Sequence, residues 1–168
     1  MTITRCQWCQ GDPLLEEYHD HDWGKQVVTN EGLFEALTLE VFQSGLSWRT
    51  VLHKRERFRQ VFHGFSPAKV ASFTDENIEK LLADEGIIRH RKKIEATIKN
   101  AKIVQGLIEE FGSFRTWIDQ LEHDQESKVK KLGATFRYVG PTTATSYFEA
   151  IGEWQPKHDE TCDWFEGT

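Results

Sequence analysis

The sequence is short of cysteine, of long apolar runs, of positive charge and of any sustained alternation between apolar and polar residues. Three cysteines in 168 residues are few and odd in number, which argues against a disulfide framework and for a reducing cytosol. No apolar run is long enough to span a bilayer and no charged-then-apolar leader is visible, so neither a membrane role nor export is expected, and a cytoplasmic location is. No segment alternates long enough to read as a strand. Lys and Arg number 21 against 27 Asp and Glu, a formal net charge of −6. That balance disfavours a protein that coats nucleic acid by bulk attraction, while leaving room for local patches. Repeats, low-complexity tracts and linkers are also missing, and the length suits a single domain over residues 1–168.

Aromatic residues and helix signals are plentiful. Six tryptophans and eleven phenylalanines supply bulky walls for a core. Asp12-Pro13 and Ser66-Pro67 each pair an N-cap residue with proline at the first helical position. Asn30, Ser47, Thr74, Ser113 and Asp124 are further N-cap candidates. Leu33, Phe34, Leu37 and Val41 share a face after Asn30. A helix after Ser47 would carry Val51, Leu52 and Phe58. A long amphipathic stretch from about Arg89 to Phe111 sets Ile94, Ile98, Ala101 and Ile108 at helical spacing. Gly133 and Gly152 are expected as C-terminal stops. Together these predict an all-α domain of eight or nine helices. Basic residues cluster at Arg49–Arg59, Arg89–Lys93 and Lys128–Arg137, and each cluster reads most simply as a solvated helix face.

Three stretches carry chemistry. The first is "HDETC", where His158 and Cys162 stand four apart. Two soft ligands cannot hold a metal alone, and the N-terminal segment offers Cys6, Cys9, His19 and His21. Cys6 and Cys9 have the CxxC spacing of a zinc half-site. The ligand set could therefore be Cys6, Cys9, His158 and Cys162, or Cys6, His19, His158 and Cys162. Either would tie the two chain ends together, and four protein ligands leave no open position, so the metal would be structural. The second stretch, "KVKKLGATFRYVGPTTATSYFEAIG", reads as helix, glycine turn, helix. Glycine lets backbone N–H groups approach a phosphate, and the next helix N-terminus adds favourable potential. The third is "LTLEVFQSGLSW", in which Glu40 lies among Leu39, Val41 and Phe42. A carboxylate is costly to bury unpaired, so Glu40 is either a surface residue at a helix end or a held functional acid. In the second case, with Trp48, Tyr18 and Trp23, it would make a site for a flat, electron-poor or cationic ring.

In order along the chain, "CQWCQGDPLLEEYHDHDWG", "LEVFQSGLSW", "GIIRHRKKIEATIKNA", "FRYVGPTTATSYFEAIG" and "HDETC" resemble the 3-methyladenine DNA glycosylase I family, from about Cys6 to Cys162. The resemblance implies a helix–hairpin–helix DNA glycosylase fold with a zinc clasp joining the termini, one structural Zn2+ per chain. It carries the metal ligands onto Cys6, His19, His158 and Cys162, and makes Cys9 a spectator. It carries the base-binding glutamate onto Glu40, the pocket aromatics onto Tyr18, Trp23 and Trp48, and the DNA-gripping hairpin onto Tyr138, Val139, Gly140, Pro141 and Thr142. The chain departs from the family pattern at Val41 and Phe42, which would alter the pocket wall. It departs again at Thr145, where a tyrosine is usual, and at Glu149, which would add negative charge near the DNA side.

The activity so implied is hydrolytic excision of 3-methyladenine from alkylated double-stranded DNA by a monomer, leaving an abasic site. The resemblance places no lysine as a nucleophile, so strand cleavage is not expected. Asp159 is the nearest aspartate after the hairpin, but it lies between two expected metal ligands. Two other classes compete. A non-catalytic, zinc-stapled DNA-binding module would share the clasp and the hairpin but has no use for Glu40. A metal-dependent hydrolase would need an open coordination position.

Overall fold

The segment Asn30–Gln43 (α2) is apolar on nearly every side, and Leu33, Phe34, Leu37, Val41 and Phe42 are fully buried within it. A helix of that composition belongs at the centre of a domain, with other helices around it. The computed structural model, which describes residues 2–164, has this arrangement. The surrounding helices are α1 (Pro13–Glu17), α3 (Trp48–Leu52), α4 (Arg55–Val61), α5 (Pro67–Ala71), α6 (Asp75–Leu82), α7 (Arg91–Phe111), α8 (Phe114–Asp119), α9 (Gln125–Thr135) and α10 (Pro141–Ala150). A π-helical turn, Tyr18–Asp22, continues α1, and a 3-10 turn spans His63–Phe65. α2 packs against α3, α5, α7, α8 and α10. No helix among the described residues is long and apolar enough to cross a membrane.

The all-helical class is as expected, but the described residues form ten α-helices rather than eight or nine. The extra count arises where one helix was expected after Ser47: the backbone breaks at His53 and Lys54 and gives α3 and α4. Two boundaries also shift. Thr29, not Asn30, caps α2, its Oγ1 accepting the Gly32 N–H at 3.0 Å. The Asn30 side chain instead accepts the Phe114 N–H at 2.9 Å, and so joins the starts of α2 and α8. Gly133 lies inside α9 rather than ending it. Its missing side chain lets the hairpin lie close, since an added Cβ would meet the Val139 carbonyl at 3.1 Å. Gly152 does follow the end of α10, at φ +77°. A Cβ there would collide with the backbone of Lys25 and Gln26 at 2.7–2.8 Å, so glycine is needed for both reasons.

A chain of phenylalanine rings fills the space beside α2. Phe42 meets Phe58 at 4.8 Å, Phe58 meets Phe62 at 6.2 Å, and Phe62 meets Phe65 and Phe73 at 5.7 and 6.1 Å. Phe42 belongs to this chain of rings and Val41 is fully buried; neither lines the cavities beside α2, so the expectation that they reshape a pocket wall is not met. The first basic cluster is matched by acids: Arg49 pairs with Asp12, Arg55 with Asp22 and Glu35, Arg57 with Asp84, and Arg59 with Glu35. These residues staple helices to one another and present little free positive charge.

Candidate functional site

α2 ends one turn beyond Glu40. Gly45, at φ +81°, turns the chain so that Ser47 can cap α3 by accepting the Thr50 N–H at 3.2 Å. Trp48 thereby begins a helix beside the end of α2. The π turn after α1 brings Tyr18 to the same place, where its ring stacks with Trp48 at 5.9 Å and 26°. Trp8 and Trp23 meet edge to face at 5.2 Å. These four aromatic rings, with Glu40, Ser146 and Glu149, line a cavity of about 210 Å³. Each of the expected pocket residues, Tyr18, Trp23, Trp48 and Glu40, lies on that cavity.

Glu40 is 2% exposed, and its Oε2 has no hydrogen-bond partner among the described residues. Buried polar atoms are nearly always paired, and an ionised carboxylate in such a place is strongly disfavoured. Burial first, and the Glu149 carboxylate second, push the Glu40 pKa well above the usual carboxylate range. Burial and the nearby Glu40 likewise push the Tyr18 phenol upward. A second cavity of about 190 Å³ shares Tyr18 and Trp48, but there Arg55 is paired with Asp22 and Glu35. The first cavity holds the unmatched acid, which makes it the better candidate for a ligand.

Of the two ligand sets left open by spacing, the fold brings one together. Ligand atoms of Cys6, His19, His158 and Cys162 lie within 4.8 Å of one another. His158 Nδ1 is 3.4 Å from both Cys6 Sγ and Cys162 Sγ, and His19 Nε2 is 3.7 Å from Cys162 Sγ. A tetrahedral zinc with ordinary Zn–S and Zn–N bonds has S···N edges of about 3.6 Å, so the donors fit that ion. Asp20 supports His19 from behind, accepting from Nδ1 at 2.8 Å, as an outer carboxylate does for a metal-bound imidazole. Cys9 stands aside: it is fully buried, its thiol donates to the Cys6 carbonyl at 3.2 Å, and burial pushes its pKa up to about 12. Asp159 is also committed elsewhere, accepting the Gln7 N–H at 2.6 Å. The cluster adjoins the cavity, because Trp23 packs on His158 and His19 at 4.8 and 5.6 Å, and Trp8 on His19 at 5.6 Å.

The hairpin lies between α9 and α10. Asn100, buried on α7, clamps it from below: its amide donates to the Arg137 carbonyl at 3.1 Å and accepts the Arg137 N–H at 2.7 Å. Tyr138 follows at φ +62° with its ring exposed, an uncommon backbone state for a residue with a side chain. Gly140 caps α10 without a side-chain hydrogen bond, and Pro141 takes the first helical position. The early N–H groups of α10 are thus left without a side-chain cap, as a phosphate-binding helix start requires. Lys93, on α7, donates to the Phe42 and Ser44 carbonyls at 2.9 and 2.6 Å and lies 5.9 Å from the Tyr138 ring. It neutralises the C-terminal end of α2 and links that end to the hairpin.

Sequence reasoning missed Trp8 and Ser146 as pocket residues, and Asn100 and Lys93 as supports. Trp8 stood in plain view between Cys6 and Cys9, but in a segment with no periodicity to orient it. Glu149, whose charge is plain in the sequence, lines the cavity, a place that its position in the sequence does not reveal.

Comparison with known proteins bears on this geometry. Residues 8–135 match the family model described as methyladenine glycosylase. The chain is 37% identical to DNA-3-methyladenine glycosylase 1 of Escherichia coli, over 89% of this chain and 91% of that protein. Its structure superposes on a crystal structure of a 3-methyladenine DNA glycosylase I with a TM-score of 0.84 at 35% identity, covering 95% of this chain and 98% of the other. The 3-methyladenine DNA glycosylase I from Staphylococcus aureus, whose recognition of 3-methyladenine has been described structurally, gives a TM-score of 0.82 at 30% identity over 95% of this chain and all of that one. The extent of these matches makes the chain a member of the methyladenine glycosylase family.

Proposed function

We propose that the protein is a DNA repair glycosylase that excises 3-methyladenine from alkylated double-stranded DNA. The observation that carries the proposal is the buried, partnerless carboxylate of Glu40 in a cavity walled by aromatic rings. An adenine alkylated at N3 and still attached to its sugar carries a positive charge. Flipped out of the duplex, it would bring that charge and its amino group to Glu40, stabilising the ionised carboxylate that the empty cavity disfavours. A normal adenine is neutral and offers no such relief. The Tyr18 and Trp48 rings would pack on the purine, with Trp8 and Trp23 closing the wall; each well-placed ring is worth about 0.5–2 kcal/mol toward a cation.

Because the cationic base is already a good leaving group, no strong general acid is required. The N9–C1′ bond breaks, its electron pair goes to the base and cancels the charge, and water adds to C1′ with loss of a proton to solvent. Glu40 recognises the base throughout. The hairpin from Tyr138 to Thr142 would hold one strand through backbone N–H groups and the start of α10, a mode of contact that suits a protein of net charge −6. Cys6, His19, His158 and Cys162 would hold one structural zinc, which supplies no chemistry to the reaction and keeps the two chain ends, and with them Trp8 and Trp23, in position. Lys93 serves the carbonyls of α2, consistent with a monofunctional enzyme that does not cleave the strand. It would work as a single-domain monomer in the cytoplasm.

The test is release of bases from methylated duplex DNA. The wild-type protein is expected to release 3-methyladenine, and Glu40→Gln to lower kcat/KM for release by about 10- to 100-fold, the scale of one lost hydrogen bond to a charged group. Retention of 3-methyladenine in DNA at high enzyme excess would overturn the proposal.

A further inference from the structure

Glu149 and Ser146 stand one helical turn apart on α10 and together contribute one wall of the cavity that holds Glu40. Glu149 accepts the Lys157 backbone N–H through Oε2 at 2.8 Å. No lysine or arginine side chain is ion-paired with it among the described residues. The same is true of Glu40, whose Oε2 is wholly without a partner. Two carboxyl groups therefore border one small, ring-walled space that contains no cation of its own.

We propose that Glu149 is a second specificity-determining carboxylate of this pocket, favouring purines with a fixed positive charge over neutral purines of similar shape. The inference rests on the reading of the cavity as the site for an N3-alkylated adenine. With Glu40 alone, that base gains one charge contact and a hydrogen-bonding partner. With Glu149 also facing the space, it gains a longer-range attraction that needs no particular hydrogen bond. A neutral adenine gains nothing from this field. The influence of Glu149 on the protonation of Glu40 is consistent with their sharing this space.

Glu149→Gln tests the idea. The amide keeps the size of the side chain and an oxygen for the Lys157 N–H, and removes only the charge; Glu149→Asp keeps the charge and disturbs the geometry. Two readouts are taken on each full-length protein. One is kcat/KM for release of 3-methyladenine from methylated duplex DNA. The other is affinity for 3,9-dimethyladeninium, a permanently cationic purine, followed by quenching of tryptophan fluorescence. Glu149→Gln should weaken both by about tenfold, the scale of one partly screened charge contact, while Glu149→Asp stays within about threefold of wild type on the same scale. Equal behaviour of Glu149→Gln and wild type in both readouts would overturn the inference. So would equal losses in the Gln and Asp variants, since geometry and not charge would then be at stake. A wild-type protein that releases no 3-methyladenine would overturn the enzymatic reading, and the cation-binding comparison would still decide the role of Glu149.

Discussion

Removing the zinc proposed for the Cys6, His19, His158 and Cys162 cluster should lower stability by an amount set by how far apart in sequence the joined residues lie. Cys6 and His158 are separated by 152 positions. A cross-link closing a loop of that length withdraws about 5 kcal/mol of chain entropy from the unfolded state. That figure is a ceiling, because the ends can fray without the helical core unfolding. For a domain of this size 5 kcal/mol corresponds to a fall in Tm of about 10–20 °C, and fraying should leave at least about 5 °C of it. The assay is calorimetry of the protein as purified and after exhaustive chelation, with metal content measured on both. His19→Ala should lose the metal, whereas Cys9→Ser should keep about one zinc per chain, since Cys9 Sγ is turned to the Cys6 carbonyl. Chelation should also weaken binding in the cavity, because Trp8 and Trp23 lean on the ligand imidazoles. Equal melting temperatures with and without metal would refute the clasp as a structural device.

Glu40→Gln should raise stability near neutral pH by about 1–2 kcal/mol, as relief of a strained functional group commonly does. The folded pKa of Glu40 is raised, so the cost it imposes is present above the unfolded carboxyl value and vanishes as pH falls through that value. Melting curves from pH 8 down to pH 4 should therefore show the advantage of the variant shrinking; a constant difference would contradict the direction of the shift. Asn100→Ala should cost about 2–3 kcal/mol, since it strips two backbone groups of their partner at a buried site. It should also weaken DNA binding by loosening Arg137 and Tyr138, which chemical denaturation and a DNA titration would check; unchanged DNA affinity would show that the hairpin holds its shape without the clamp.

Glu40 was legible in the sequence because a carboxylate among Leu39, Val41 and Phe42 has no cheap place to go. The helices were legible from caps and periodicity, because those signals are local. The split between α3 and α4 was not, since His53 and Lys54 carry no proline or glycine to mark a break. The choice between Cys9 and His19 as a metal ligand turns on a sulfur pointing one way rather than another, and spacing is blind to that. The same holds for Phe42, which follows Glu40 by two residues but packs on Phe58, and for Val41, which is fully buried. Asn100 looks like any polar residue of a long amphipathic helix until the hairpin lies over it. Glu149 shows its charge in the sequence, but its position at the cavity depends on how α10 docks against α2.

A crystal structure of the protein with 3-methyladenine bound would decide whether Glu40 recognises the base. The base should lie in the cavity against Tyr18 and Trp48, with a ring nitrogen or the amino group about 2.6–3.2 Å from a Glu40 carboxyl oxygen. A base bound elsewhere, or bound there with the Glu40 oxygens beyond about 4 Å and still without a partner, would contradict it.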